Sequence, residues 1–132
     1  MNHFNYRSFF LVLCPLIGYL GFVFFLSNLQ QTPNVISVRH LDKLIHFVLY
    51  LPMAILFFRF LRESQYDLVR NYFWIHGIVL SLIYAASDEW HQSFVPIRHM
   101  DFYDWLADAA GIFMGALLYF MYLKWKREYE NS

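Results

Sequence analysis

Four long apolar stretches divide the chain, and the polar residues gather in the short spaces between them. The first covers 9–28 and begins FFLVLCPLIGYLGFVFFL, with no charged residue between Arg7 and Arg39. The others cover 44–61, 71–88 and 105–123. The first run is long enough to cross a hydrocarbon core about 30 Å thick. A cleavable signal peptide has a shorter apolar region of about 7–15 residues, followed by a small-residue cleavage site. This run is longer, rich in Phe, and ends in SNLQQTPN. In lipid every backbone polar group must be satisfied within a helix or a closed barrel. The pattern therefore predicts an all-α polytopic membrane protein, with four transmembrane helices in a small bundle and a single domain over 1–132. Pro15 and Pro52 fall inside the first and second spans, where kinks would open room between helices.

Composition sharpens this picture. Asp, Glu, Lys and Arg make up 15% of the chain, well below the usual quarter of a soluble domain. The formal net charge of zero offers no basic footprint for nucleic acid. The single cysteine, Cys14, excludes an intrachain disulfide and a cysteine-based metal site. The Lys and Arg residues are unevenly placed. Arg7, Arg59, Arg62, Arg70, Lys124, Lys126 and Arg127 fall on one side of the four spans; Arg39, Lys43 and Arg98 fall on the other. By the positive-inside rule both termini are expected in the cytoplasm, with 30–43 and 88–104 outside. Trp74, Trp90, Trp105 and Trp125 lie near span ends, as interfacial anchors do.

Two polar segments then share the outer face. In LDKLIHFVLY, Asp42 and His46 are four apart and lie on one helical face. Asp42 also suits the positive end of a helix. His46 lies a turn inside an apolar span, where an unpaired polar group is expensive, so it needs a partner. Asp42 and the 88–104 segment are the candidates. Lys43 either reaches headgroups or joins the cluster. In SDEWHQSFVP, a helix continuing through Gln92 puts Asp88, His91 and Gln92 on one face and turns Glu89 about 100° away. Both carboxylates sit at a helix C-terminus, where the macrodipole opposes them, so an external partner is expected. Arg98 has the planar fork that suits a carboxylate or phosphate. Asp101, Asp104 and Asp108 recur along one face of the last span, and Gly111 and Gly115 continue it. Asp101 and Asp104 suit a helix cap. Asp108 lies about one turn inside the span, where an ionisable group usually faces the bundle interior. The small residues allow close approach of a neighbouring helix.

The segments DKLIHFVLY and DEWHQSFVPIRHMDFYDWLADAAGIFMG resemble the VanZ-like membrane proteins. The matching positions are Asp42, Lys43, His46, Phe47 and Tyr50, then Asp88, Glu89, Gln92, Phe94, Pro96 and Arg98, and finally Asp104, Asp108, Gly111 and Gly115. The resemblance covers 41–122 together with the four-span layout. Asp108 stands where many relatives carry Asn, and His91 and His99 are not part of the pattern. The resemblance implies a bacterial cytoplasmic membrane and a cell-envelope setting. The family is named for a member associated with resistance to the lipoglycopeptide teicoplanin, and the resemblance supplies no reaction.

These residues support several readings. In the first, Asp42, Lys43, His46, Asp88, Glu89, Gln92, Arg98, Asp104 and Asp108 bind a membrane lipid, a lipid-linked envelope precursor or a lipoglycopeptide headgroup. In the second, His46 with Asp88 or Asp108 supplies acid–base chemistry to a small intramembrane enzyme. No H-E-x-x-H or G-x-S-x-G motif accompanies it, so a nucleophile would be Ser87, Ser93 or a carboxylate. No cofactor is expected, although Asp42, His46, Asp88, Glu89 and Asp108 offer oxygen and imidazole ligands for a divalent cation. A buried network that only fixes helix packing is the remaining reading.

Overall fold

The computed structural model describes residues 6–29, 39–96 and 100–132. These form α1 (Tyr6–Ser27), α2 (Arg39–Arg62), α3 (Asp67–Asn71), α4 (Phe73–Gln92) and α5 (Phe102–Glu130). The fold is all-helical, as the apolar runs predict. α1 and α2 run as α-helix through Pro15 and Pro52. α5 extends well beyond the predicted 105–123 at both ends, carried on by the Lys- and Glu-containing segment after Leu123.

The expectation of four spans needs correction. Three helices are long and apolar enough to cross a membrane, over Phe10–Ser27, Leu41–Arg62 and Phe102–Glu130. The predicted third span, 71–88, is displaced in the structure. Asn71 ends the short helix α3, and α4 starts at Phe73 and runs on to Gln92. Its final turns therefore take in Asp88, Glu89, His91 and Gln92, and that polar end lowers the hydropathy of a 20-residue helix. α4 falls short of that apolar length but runs between the same two poles as the other long helices, packing against α2 and α5 and, less extensively, α1.

α2 and α5 make the broadest contact in the molecule, with α1 laid against α2. Lipid tails are as apolar as Leu, so close van der Waals fit rather than hydrophobic expulsion drives this association. Gly111 and Gly115 set its distance. A Cβ on Gly115 would lie 2.5 Å from the Leu51 carbonyl oxygen and 3.2 Å from Ala54 Cβ. One on Gly111 would run into the Phe47 carbonyl oxygen and stand 3.2 Å from Leu51 N. The backbones thus meet without intervening side chains. Tyr50, Met53, Ala54, Phe58, Ala85 and Ile112 fill the core. Toward the basic end, Phe58 packs on Trp74 and Tyr119, with centroids at 5.0 and 6.0 Å. Gly77 leaves the space that the Phe58 ring occupies. His76 stays exposed, its Nδ1 2.9 Å from the Tyr72 carbonyl.

Large apolar side chains cover the outside, including Leu11, Phe25, Val48, Ile75, Ile83, Phe113 and Phe120. So much exposed apolar surface suits a lipid surround. Two tyrosines tie the helices across it. Tyr19 donates to the Leu49 carbonyl at 3.0 Å, and Tyr84 to the Leu20 carbonyl at 2.7 Å.

Candidate functional site

The end of α1, the start of α2, the end of α4 and the start of α5 meet at one pole of the bundle. Arg59, Arg62, Lys124, Lys126 and Arg127 lie at the other. The meeting pole holds most of the buried polar side chains: Ser27, His46, Asp88, Glu89, Gln92, Asp104 and Asp108. Helix periodicity explains the convergence. Asp104 and Asp108 are one turn apart on the buried face of α5, and Asp88 and Gln92 are one turn apart on α4.

The cluster has two sides and a rim. On the α1 side, the Ser27 hydroxyl donates to Asp88 Oδ1 at 2.6 Å, with the Val23 carbonyl as a second acceptor at 3.1 Å. Gln92 Nε2 donates to Asp88 Oδ2 at 3.1 Å. Tyr50, 1% exposed, sits near Asp88 without reaching hydrogen-bonding geometry. On the α2–α5 side, His46 Nδ1 lies 2.9 Å from Asp108 Oδ1 and 3.9 Å from Glu89 Oε1. Glu89 Oε2 accepts from the Asp101 amide at 3.0 Å. Burial pushes the Glu89 carboxyl up to about 7, against the lowering pull of that amide and of His46. Side-chain exposure falls to 9% at His46, 3% at Glu89 and 0% at Asp108. This is the floor of the site.

The rim is more open. Lys43 Nζ donates to Asp104 Oδ1 at 2.5 Å and to Asp101 Oδ2 at 3.1 Å, and lies 5.9 Å from the centre of the Tyr103 ring. Asp101 caps α5, accepting from Tyr103 N at 2.8 Å. The Lys43 and Asp101 side chains are 31% and 43% exposed. Asp42 is half-buried, with an oxygen within 4.8 Å of ligating atoms of His46 and Asp104.

The structure thus brings Asp42, Lys43, His46, Asp88, Glu89, Gln92, Asp104 and Asp108 to one pole. Arg98 and His99 lie outside the described residues, as does 30–38 of the predicted outer loop. Three local details follow. His46 meets Asp108 on α5 at 2.9 Å and, from 88–104, faces Glu89 at 3.9 Å. Asp88 and Glu89, about 100° apart on α4, are both buried. α4 has helices on two sides, so one carboxylate faces α1 and the other faces α2 and α5. His91 leaves the Asp88 set and turns to α1, with Nε2 3.0 Å from Asn28 Oδ1 and its ring 4.6 Å from that of Phe24. Ser27 was not foreseeable as a partner, because a serine closing an apolar run is ordinary. Only the register of α1 against α4 exposes its role.

Chemically, the pole is rich in acceptors. Lys43 is in ion-pair contact with two of these carboxylates, Asp101 and Asp104. Glu89 Oε1 and Asp108 Oδ2 are fully buried and meet no hydrogen-bond donor.

Comparison with curated proteins and with solved structures finds no match. The VanZ/LLP1 family model matches residues 5–123, which takes in every helix of the bundle up to the last turns of α5 and the whole polar pole. The chain is a helical membrane protein of the VanZ/LLP1 family.

Proposed function

We propose that the chain is a multi-pass protein of the bacterial cytoplasmic membrane whose polar pole binds a headgroup at the outer face. The bound molecule is an envelope lipid, a lipid-linked precursor or a lipoglycopeptide. The observation that carries the reading is the graded pole itself, with an open rim at Lys43 and Asp101 above a floor holding two unmet acceptor oxygens. A sugar hydroxyl or an amine supplies the donors that Glu89 Oε1 and Asp108 Oδ2 lack. An ammonium has three donors. Lys43 gives two to Asp104 and Asp101, which leaves one for a phosphate. Arg98, in the same outer segment of the sequence, is a further candidate, since a guanidinium fork suits a phosphate. The excess of Lys and Arg at the opposite pole supports an outward-facing site with both termini in the cytoplasm. The teicoplanin association of the family fits an envelope ligand on that face.

Native mass spectrometry of protein gently extracted from membranes tests this. The wild type should retain a lipid-sized adduct, and Arg98→Ala and Lys43→Met should lose most of it. Equal retention in both variants would remove the headgroup reading.

A second reading has one specific observation in its favour, the 2.9 Å His46–Asp108 pair, which has the geometry of a base and its orienter. The Ser87 and Ser93 hydroxyls are exposed and donate to their own helix, to the Tyr84 and Trp90 carbonyls. Any nucleophile would therefore be a carboxylate or water. Turnover of a lipid-linked headgroup by the wild type, lost in His46→Gln, would favour this reading over simple binding.

A further inference from the structure

We infer that the floor of the polar pole is a divalent transition-metal site, with His46 Nδ1, a Glu89 oxygen and an Asp108 oxygen as ligands. The inference rests on the headgroup reading and deepens it: the ion, in place of a headgroup hydroxyl or amine, meets the two acceptor oxygens of the floor, and the headgroup reaches it from the rim.

Four observations carry it. First, the three side chains come from three different helices, α2, α4 and α5, and each places a ligating atom within 4.8 Å of the other two. Second, the spacing is right. Two ligands each about 2.1 Å from an ion, at tetrahedral or octahedral angles, stand roughly 3.0–3.4 Å apart. His46 Nδ1 is 2.9 Å from Asp108 Oδ1 and 3.9 Å from Glu89 Oε1, each within an ångström of that spacing, and the Glu89 and Asp108 oxygens lie within 4.8 Å of each other. Third, Glu89 Oε1 and Asp108 Oδ2 are buried and unpartnered beside the imidazole. Buried carboxylate oxygens that no donor satisfies carry a large desolvation cost, and a cation removes it. Fourth, the surroundings hold these ligands in place. Glu89 Oε2 is fixed by the Asp101 amide at 3.0 Å, an outer contact of the kind that orients metal-binding carboxylates.

The donor set selects the metal class. One imidazole and two carboxylates suit Zn2+, Mn2+ or Fe2+ better than Mg2+, which keeps most of its water, or Ca2+, which prefers an all-oxygen shell. Three protein ligands leave coordination positions open, as in sites that bind a further oxygen. In the headgroup reading that oxygen belongs to a phosphate or a hydroxyl. A second grouping, Asp42, His46 and Asp104, competes for the same imidazole. It is the weaker candidate, because Asp104 already receives the Lys43 ammonium at 2.5 Å.

The test uses the full chain in detergent micelles, stripped with chelator and dialysed against Zn2+, with Mg2+ and Ca2+ in parallel. Metal per chain is read by plasma mass spectrometry. The wild type should retain about one Zn2+ and neither of the harder ions, as expected of a mixed N/O site. Glu89→Gln keeps the side-chain volume and should weaken Zn2+ binding by about 100-fold or more, beyond the 10–100-fold usual for outer-shell changes. Asp42→Asn should leave it unchanged. A wild type that holds no more Zn2+ than Glu89→Gln overturns the inference, and so does a loss confined to Asp42→Asn. Should Glu89→Gln fail to fold, Co2+ loaded into the wild type decides. Visible bands shifted or strengthened from those of the hydrated ion, as an imidazole ligand requires, support the inference, and bands identical to the hydrated ion's overturn it. Zinc retained while the lipid adduct is missing counts against the headgroup reading alone, and the reverse counts against the metal alone.

Discussion

Gly111→Leu should leave little folded protein in the membrane, and Gly111→Ala should already lower thermal stability clearly. A Cβ at Gly111 would meet the Phe47 carbonyl oxygen and press on Leu51 N at 3.2 Å. Both belong to the α2 backbone, and backbone does not rotate away as a flexible side-chain tip does. α5 must move back instead. Overpacking of a fitted interior typically costs about 1–3 kcal/mol and occasionally more. Ala should fall in that range, and Leu, with three further carbons to place, should exceed it. The consequence reaches the polar pole, because α5 carries Asp104 and Asp108 while α2 carries Lys43 and His46. Backing α5 away pulls apart the 2.5 Å Lys43–Asp104 and 2.9 Å His46–Asp108 contacts together. Gly18 and Gly21 are the controls, since a Cβ at either meets nothing within 4 Å. Ala at Gly18 should be neutral or stabilising by up to about 1 kcal/mol through helix propensity. The check is the unfolding midpoint of each variant in detergent, read by circular dichroism and size-exclusion profile. A Gly111→Leu midpoint equal to that of Gly18→Ala would show that the two helices do not approach as described.

The same close approach explains which parts of this architecture were legible in the sequence. Run length alone locates α1, α2 and α5, since a charge-free interval such as Arg7 to Arg39 has few alternatives to a span. α4 was read less well because its boundary is set by neighbours. The polar Asp88–Gln92 turn stays helical since α1, α2 and α5 supply its side chains with partners, and hydropathy cannot report that. Asp108 was the most informative position, because an ionisable group a turn inside an apolar span implies an interior partner. The sequence pairs His46 with Asp88 or Asp108, and deciding between them requires the register of α5 on α2, which Gly111 and Gly115 set through contacts with Phe47 and Leu51. Sequence spacing within one helix says nothing about that register. Ser27 and the Lys43–Asp104 pair were out of reach for the same reason, as each joins helices about 60 residues apart in the chain.

Asp108→Ala should be strongly destabilising, while Asp108→Asn should be mild, and the difference measures the His46 contact. Asp108 is fully buried and its Oδ1 lies 2.9 Å from His46 Nδ1. Alanine leaves the imidazole facing Glu89 Oε1 at 3.9 Å with no direct hydrogen bond. Removing one partner of a buried hydrogen-bonded pair leaves the other unsatisfied, at about 1–3 kcal/mol and more where that group is charged. Asparagine keeps a carbonyl oxygen in place to accept from Nδ1, so its cost should be near that of a single neutral hydrogen bond, about 1 kcal/mol. A double-mutant cycle isolates the contact. His46→Leu and Asp108→Leu should each be severe alone, while the double variant should recover part of the loss, since apolar residues of matching volume can replace a buried pair at little net cost. Equilibrium unfolding in mixed micelles gives the four free energies. Additive losses, with no recovery in the double variant, would mean that each side chain serves a different partner. Recovery of stability without recovery of headgroup capture would separate the two roles of the pair: the bundle can do without its polar floor, and the bound ligand cannot.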